Sequence, residues 1–271
     1  MQILSVQNPK VRQWSLLLTK KGRDTQGKFL VEGTHLVQEA LQSGIALEAL
    51  LYSLEKGLPA ELAPLLPDRS VCIGVSEEVL AKCSDTQTPQ GVVAVADKPE
   101  LAPLSLLEHP QPLVVVLDGV QDPGNVGTIV RSADAAGATG IVLGRGTADL
   151  YNPKTVRATM GSLFHLPIAE ADLDELLPLA NAKGVRLVGT SLQAEANCYE
   201  LDLQAPTWLI VGNEGSGVSP QVERYVTHRT IIPMRGKAES LNVAMATTVL
   251  LFEAARQREF QTTIIPVHDP K

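Results

Sequence analysis

Short apolar runs alternate with amphipathic stretches along most of the chain, a pattern typical of an α/β protein. In the N-terminal part, apolar runs predict strands at residues 29–33, 49–53, 71–75 and 91–96. Apolar residues at helical spacing predict a helix over residues 34–43, which ends at Gly44. Gly22 and Gly27 are expected to interrupt an opening helical pattern before the first strand. Residues 1–97 are therefore predicted to form a small α/β unit.

The pattern changes after residues 98–112, which are rich in proline and predict a linker. Beyond it, strands are predicted at residues 113–118, 140–143, 185–190, 208–212 and 230–233, and helices at residues 125–137, 173–183 and 241–258. Asn125 and Ser240 are expected to cap the first and last of these helices. Short apolar strands between helices indicate a parallel sheet covered on both faces. Residues 113–258 are thus a predicted second domain, followed by a loose tail over residues 259–271.

Composition excludes several classes of protein. The chain has 271 residues, of which 44% are hydrophobic and 20% charged, as in an ordinary globular protein. The apolar runs are far shorter than the roughly 18 residues of a membrane span, and the polar start lacks a signal-peptide core, so a cytoplasmic protein is expected. The 3 cysteines form no C-x-x-C pair and the 5 histidines lack ligand spacing, which disfavours disulfides and a metal site.

The charge distribution is uneven. A net charge of −7, taken alone, argues against a nucleic-acid partner. Residues 1–30 nevertheless carry six Lys or Arg side chains and a single acidic one, Asp24. This basic arm is compatible with phosphate contact, for which the candidates are Lys20, Lys21 and Arg23. A solvated helix face is the alternative interpretation.

Three segments after predicted strands carry more glycine and polar residues than packing requires. Residues 125–131 read N-x-G-x-x-x-R, residues 212–217 read G-x-E-x-x-G, and residues 232–243 read I-P-M-x-G-x-x-x-S-L-N-V. The glycines of the second segment leave backbone groups open to a ligand. The lysine of a phosphate-binding P-loop and the glycine order of a dinucleotide fold are both missing, which disfavours a nucleoside triphosphate or nicotinamide site.

In this order and spacing, the three segments resemble the SpoU (TrmH) family of RNA 2′-O-ribose methyltransferases, in the SPOUT superfamily. Residues 8–11, 29–33 and 86–94 resemble the family's RNA substrate-binding domain. The resemblance implies an α/β fold: a SPOUT-type parallel sheet with a C-terminal trefoil knot, preceded by a small L30e-like α/β domain. It also implies a homodimer that uses S-adenosylmethionine to methylate a ribose in structured RNA, with ribosomal RNA favoured over tRNA. A non-catalytic RNA-binding or ribosome-assembly protein on the same fold is the alternative.

The resemblance also implies roles for individual residues. The residues implied to act around the reacting ribose are Arg131, Asn125, Glu214, Ser240 and Asn242. Those implied to hold the methyl donor, largely through backbone groups, are Thr190, Ser191, Gly212, Ile232, Met234 and Leu241. In the family the arginine is considered a base or a phosphate ligand. Because an arginine side chain stays protonated in proteins, we favour phosphate binding and stabilisation of the developing alkoxide. A role as base requires a neighbouring phosphate to take its proton.

Overall fold

The computed structural model describes residues 1–66, 68–191, 194 and 196–258. The helices are α1 (Pro9–Ser15), α2 (Lys20–Gln26), α3 (Thr34–Gln42), α4 (Glu77–Lys82), α5 (Pro123–Ala135), α6 (Pro153–Thr159), α7 (Leu173–Ala182), α8 (Pro220–Glu223) and α9 (Val243–Arg258). The strands are β1 (Gln2–Ile3), β2 (Lys28–Glu32), β3 (Leu47–Ser53), β4 (Cys72–Val75), β5 (Val92–Asp97), β6 (Leu113–Asp118), β7 (Gly140–Leu143), β8 (Ile168–Glu170), β9 (Arg186–Thr190), β10 (Thr207–Gly212) and β11 (His228–Thr230).

The chain packs as two compact units that are not continuous in sequence. The first unit comprises Met1–Glu100, Asp122–Arg131 and Ala148–His165. The second comprises Leu101–Gln121, Ser132–Thr147 and the chain from Leu166 onward. The first unit therefore includes the start of α5 and the whole of α6, in addition to the N-terminal segment.

The first unit contains a mixed five-stranded sheet in the order β1-β4-β3-β5-β2. Strands β3 and β4 are parallel, whereas β5 runs antiparallel to both β2 and β3. Val11, Trp14 and Leu17 pack with Leu51 and Val93 in a common core. A small α/β unit in the N-terminal part is thus confirmed.

Helix α2 runs through residues that were expected to interrupt it, so that part of the prediction is wrong. A Cβ atom on Gly22 would overlap the carbonyl oxygen of Leu16. The glycine therefore permits close packing of the chain against the start of α2, and does not end the helix. The helix ends instead at Gly27, which adopts a φ of 64°.

The second unit contains a six-stranded parallel sheet in the order β11-β9-β10-β6-β7-β8, as the apolar pattern predicted. Strands β6 and β10 lie side by side in the centre, and every one of their residues is buried. Burial on both faces explains why these strands are apolar throughout and show no alternation of polar and apolar residues.

The strand order places a topological switch between β6 and β10. From β6 the chain moves outward to β7 and β8, and it then returns to the other side of β6 to form β9, β10 and β11. In open parallel sheets, a crevice forms at such a switch because the adjoining loops leave in opposite directions. The carboxyl ends of β6 and β10 are therefore where a ligand is expected.

Two predicted segments differ in detail from the structure. The linker segment contains a 3-10 turn, Pro103–Leu107, whose Leu106 and Leu107 are buried in the core of the second unit. The strand predicted at residues 230–233 lies at His228–Thr230, since Ile231 forms only an isolated bridge with Asn197. The predicted tail, residues 259–271, lies outside the described residues. Within the described chain, no helix combines the length and apolarity needed to cross a membrane.

Candidate active site

The first motif, residues 125–131, lies within α5, the helix that follows β6. The side chain of Asp122 caps this helix, because its Oδ1 accepts hydrogen bonds from the amides of Gly124 at 2.7 Å and Asn125 at 3.1 Å. The Lys154 ammonium donates a hydrogen bond to the same carboxylate at 3.0 Å, which lowers the pKa of Asp122 and keeps the cap ionised. The prediction that Asn125 caps α5 is therefore wrong, and Asn125 lies within the first turn.

The glycine of this motif has a packing role. A Cβ atom on Gly127 would lie 2.7 Å from the carbonyl oxygen of Thr155 and closer still to the Cβ of Ala158. Because Gly127 has no side chain, α6 can approach the start of α5 within the first unit. Arg131 lies further along α5 and is exposed, and no residue in the described chain pairs with its guanidinium. That guanidinium is available to an external anion.

The second motif forms a tight loop after β10. A Cβ atom on Gly212 would overlap the backbone of Gly217, so the loop folds directly back on the strand end. Asn213 organises the loop: its Oδ1 accepts from the amides of Gly215 at 2.9 Å and Ser216 at 3.1 Å. Sequence reasoning missed this residue, although an asparagine that bonds to amides two and three positions ahead is a common turn former.

Two contacts join this loop to the loop after β6. The Asn213 side-chain amide donates to the carbonyl of Gly119 at 2.9 Å. The backbone amide of Gln121 donates to Oε2 of Glu214 at 3.1 Å. The structure therefore places Glu214 beside the segment that leads into the first motif, at the topological switch of the sheet.

The third motif leads from β11 into α9. Asn242 caps α9, since its Oδ1 accepts from the amides of Ala244 at 2.9 Å and Met245 at 3.3 Å. The prediction that Ser240 caps this helix is wrong, because the helix begins at Val243 and Ser240 lies too far ahead of it. Both Ser240 and Asn242 are exposed.

The basic arm divides into exposed and buried side chains. Lys20 and Lys21 are exposed on α2, and Lys20 forms an ion pair with Asp24 at 3.0 Å. Arg23 is only 2% exposed and forms an ion pair with Asp149 at 2.6 Å. The prediction that Arg23 contacts RNA is therefore wrong: its guanidinium is already satisfied inside the first unit.

Comparison with known proteins agrees with this arrangement. Residues 112–252 match the SpoU rRNA Methylase family, and residues 8–94 match the MRM3-like substrate binding domain. The chain is 40% identical over 251 residues to the 23S rRNA (guanosine(2553)-2′-O)-methyltransferase RlmP of Bacillus subtilis, covering 93% of this chain and 98% of that protein. The chain belongs to the SpoU rRNA methylase family.

Other relatives of this SpoU methylase also match along most of their length. The 23S rRNA (uridine(2479)-2′-O)-methyltransferase of Streptomyces viridochromogenes is 34% identical, with coverage of 94% of this chain and 92% of that protein. The AdoMet-bound rRNA methyltransferase of Sinorhizobium meliloti superimposes with a TM-score of 0.83 at 37% identity, covering 94% and 97% of the two chains. This SpoU methylase is thus an RNA 2′-O-ribose methyltransferase that uses S-adenosylmethionine.

The residues predicted to hold the methyl donor lie at the carboxyl ends of neighbouring strands. Thr190 and Gly212 end β9 and β10, and the amide of Ser191 donates to the carbonyl of Thr230 at 3.0 Å. The remaining predicted donor-site residues are Ile232, Met234 and Leu241, and their apolar side chains are half-buried or exposed. In the described chain, the backbone amides of residues 234–241 form no hydrogen bonds. Apolar walls beside unbonded backbone donors fit the adenosyl group of this donor.

The predicted catalytic residues divide between the two units. Asn125 and Arg131 belong to the first unit, whereas Glu214, Ser240 and Asn242 belong to the second. Within the second unit, Glu214 contacts the loop after β6 and Asn242 starts α9. A common role of all five around one ribose stays a prediction.

Proposed function

We propose that this SpoU methylase transfers a methyl group to the ribose 2′-oxygen of a nucleotide in large-subunit ribosomal RNA. The observation that carries the proposal is the 40% identity to RlmP across 93% of the chain. Both family models match regions of the same chain, residues 8–94 and 112–252. Both named relatives act on 23S rRNA, one at a guanosine and the other at a uridine. Their difference leaves the identity of the target base to experiment.

Arg131 is the central residue of the proposed mechanism. The bound donor supplies a methyl group activated by a sulfonium, and the chain must hold the 2′-oxygen in line with it. We assign to Arg131 the binding of an RNA phosphate and the stabilisation of negative charge on the 2′-oxygen as its proton leaves. Its exposed guanidinium has no partner in the described chain, which supports this role. A guanidinium stays protonated in proteins, so Arg131 acts as base only if a phosphate first takes its proton.

The other predicted site residues hold the reactants in place. Asn125, Ser240 and Asn242 offer amide and hydroxyl groups that can orient the ribose by hydrogen bonds. Glu214 keeps the loop after β10 against the loop after β6 through the Gln121 amide. The donor is held by Thr190, Ser191, Gly212, Ile232, Met234 and Leu241.

We propose that residues 1–97 bind the RNA and residues 113–258 carry the chemistry. The match of residues 8–94 to a substrate-binding family supports this division. Lys20 and Lys21 are the exposed candidates for phosphate contact on α2. Replacing both by alanine should weaken RNA binding and flatten its salt dependence. The variant would make fewer phosphate contacts, and its binding would therefore release fewer counterions from the RNA. Lys82→Ala, an exposed lysine on α4, is the matched control, and an equal effect there would refute a specific role for α2.

We also propose that the enzyme is a homodimer that associates through α9. Met245 and Phe252 are 50% and 45% exposed and lie seven positions apart, on one face of this helix. Large apolar side chains exposed together indicate an interaction surface. Phe252→Glu should produce monomers in light scattering, while Leu179→Glu, at an exposed apolar position of α7, should not. A dimer that survives Phe252→Glu unchanged would place the interface elsewhere.

The proposed trefoil knot is supported by contacts of the segment between β9 and β10. The amide of Ile231 donates to the carbonyl of Ala196 at 3.0 Å. At the far end of α9, Gln257 donates to the carbonyl of Leu201 at 2.9 Å and Arg258 to that of Leu203 at 2.8 Å. The segment between β9 and β10 is thus hydrogen-bonded to the chain before α9 and to the last residues of α9. Such contacts are expected where the C-terminal part passes through that segment. A crystal structure in which α9 does not pass through this segment would refute the knot.

Labelled methyl transfer to purified RNA tests the proposed substrate. The full chain, supplied with labelled S-adenosylmethionine, should modify deproteinised 23S rRNA at one ribose and leave tRNA unlabelled. Label in tRNA alone would reject the ribosomal substrate. Donor binding with no transfer to any RNA would favour the non-catalytic alternative. We place the enzyme in the cytoplasm, since none of its three cysteines forms a disulfide in the described chain, as is usual in a reducing compartment.

A further inference from the structure

A cleft of about 280 Å³ opens in the second unit at the topological switch of the sheet. It lies between the loops that follow β6 and β10, and its lining includes Asp118, Gln121, Asn213 and Ser216. None of the residues assigned above to catalysis or to the methyl donor lines it. The cleft nevertheless adjoins the second motif, because the amide of Gln121 is hydrogen-bonded to Glu214.

The cleft contains a carboxylate with unused acceptor capacity. Asp118 is only 9% exposed, and its Oδ2 accepts from the amide of Ser219 at 2.6 Å. No other donor in the described chain reaches this carboxylate, and its Oδ1 has no partner there. The unpartnered Oδ1 is not a fully buried atom and faces the open space of the cleft, where it can accept hydrogen bonds from a ligand that brings N–H groups.

The other two carboxylates of the cleft are already paired. Asp172 accepts from Arg145 at 3.2 Å and caps α7, and Asp174 accepts from Arg224 at 3.0 Å. Each of these two carboxylates is therefore already neutralised by an arginine, which disfavours a multivalent cation. The unsatisfied feature is one acceptor, Asp118, in a cleft whose apolar lining is Leu173 and Val222.

A guanine base has the matching chemistry. Its N1–H and N2–H groups are two adjacent donors, which one carboxylate can accept together. Adenine, cytosine and uracil each place an acceptor beside their donor on the pairing edge, and that acceptor would face the Asp118 carboxylate unfavourably. Unpaired bases of RNA are commonly read on this edge while their flat faces pack on side chains. The volume of the cleft is near the lower end for ligand pockets, as a single base requires.

We propose that this cleft binds an unpaired guanine of the RNA substrate through Asp118. The proposal rests on the proposed function, because an RNA substrate is what brings the base to the enzyme. Arg145, at the rim and 91% exposed on its side chain, is placed to contact the phosphate of the same nucleotide. Occupation of the cleft would hold the loop that carries Gln121, and thereby Glu214, in place.

Binding of mononucleotides to the full chain tests this site without methyl transfer. We expect 5′-GMP to perturb NMR signals of the cleft and to bind at least about tenfold more tightly than 5′-AMP, 5′-CMP or 5′-UMP. Asp118→Asn should weaken GMP binding by about tenfold and improve binding of xanthosine monophosphate, whose C2 carbonyl replaces the amino group of guanine. Asp174→Asn is the matched control, since that carboxylate is already paired, and it should change GMP binding by less than about twofold.

A second variant covers the case in which Asp118→Asn does not fold. Gln221 lines the cleft from an exposed position of α8, so Gln221→Trp should fill the cleft and abolish GMP binding without lowering the unfolding midpoint. Calorimetry with S-adenosylmethionine should show unchanged donor binding in both variants. Equal binding of all four nucleotides, or full GMP binding by either folded variant, would overturn the guanine site. Failure of methyl transfer to ribosomal RNA with GMP binding intact would reject only the proposed function.

Discussion

The buried ion pair of Arg23 gives a direct test of whether α2 uses this arginine for stability or for RNA. The guanidinium donates from Nε and Nη2 to Oδ2 of Asp149, at 3.0 and 2.6 Å, and from Nη1 to the carbonyl of Leu17 at 2.7 Å. The side chains of Arg23 and Asp149 are 2% and 8% exposed. Nothing of this guanidinium remains for a phosphate.

Arg23→Ala removes all three hydrogen bonds and leaves the Asp149 carboxylate buried without its counter-charge. Breaking a buried pair from one side costs about 3–5 kcal/mol, so we expect the free energy of unfolding to fall by that amount. Arg23→Lys keeps the charge but cannot form the forked contact, and its loss should be smaller. The double replacement Arg23→Met with Asp149→Leu should recover most of the stability, because no unpaired charge remains.

Urea denaturation followed by tryptophan fluorescence measures these losses, and Lys21→Ala is the control on the same helix. Because Lys21 is exposed, its replacement should change stability by less than about 0.5 kcal/mol while lowering the salt dependence of RNA binding. Arg23→Ala, measured where it is folded, should keep that salt dependence. A stability loss below about 1 kcal/mol for Arg23→Ala, together with weaker RNA binding, would refute a structural role.

Three further outcomes follow from individual residues of the three motifs. Asn242→Ala should destabilise the protein by about 1 kcal/mol in urea titrations, whereas Ser240→Ala should leave stability unchanged, because only the former caps α9. Gly127→Ala should cost about 1–3 kcal/mol by overlap with Ala158, and a neutral effect would show that α6 can shift. Arg131→Ala should abolish labelled methyl transfer while calorimetry shows donor binding retained, and substantial residual activity would contradict its central role.

The sequence was sufficient for the elements whose signals are local. The parallel sheet was predictable because β6 and β10 are continuous apolar runs bounded by loops. The end of α2 at Gly27 was also predictable from a local signal, because a glycine readily adopts the left-handed conformation that ends a helix. The helix interruption expected at Gly22 was wrong. This position requires a glycine because the carbonyl of Leu16 packs against it, and the sequence alone does not reveal that contact.

Long-range partners were beyond the sequence. The partner of Arg23, Asp149, lies 126 residues away in the sequence. The residues around Arg23 therefore could not distinguish a buried, paired arginine from one that binds RNA. The same holds for Asp118, whose cleft is assembled from loops after different strands. The three motifs could be found from spacing and resemblance. Their surroundings in space, such as the contact of Glu214 with Gln121 in the loop after β6, required the folded chain.

The identities of the helix caps sharpen the interpretation of the motif residues. Local rules assign capping to Asn125 and Ser240, and a capping role would have explained both without any ligand. In the folded chain, Asp122 caps α5 and Asn242 caps α9, so capping does not explain Asn125 or Ser240. Without a capping role, Asn125 and Ser240 can serve a substrate that is oriented by amide and hydroxyl groups. Asn242 is different, because it also caps α9, and a loss of activity in its variants must first be separated from the loss of the helix start.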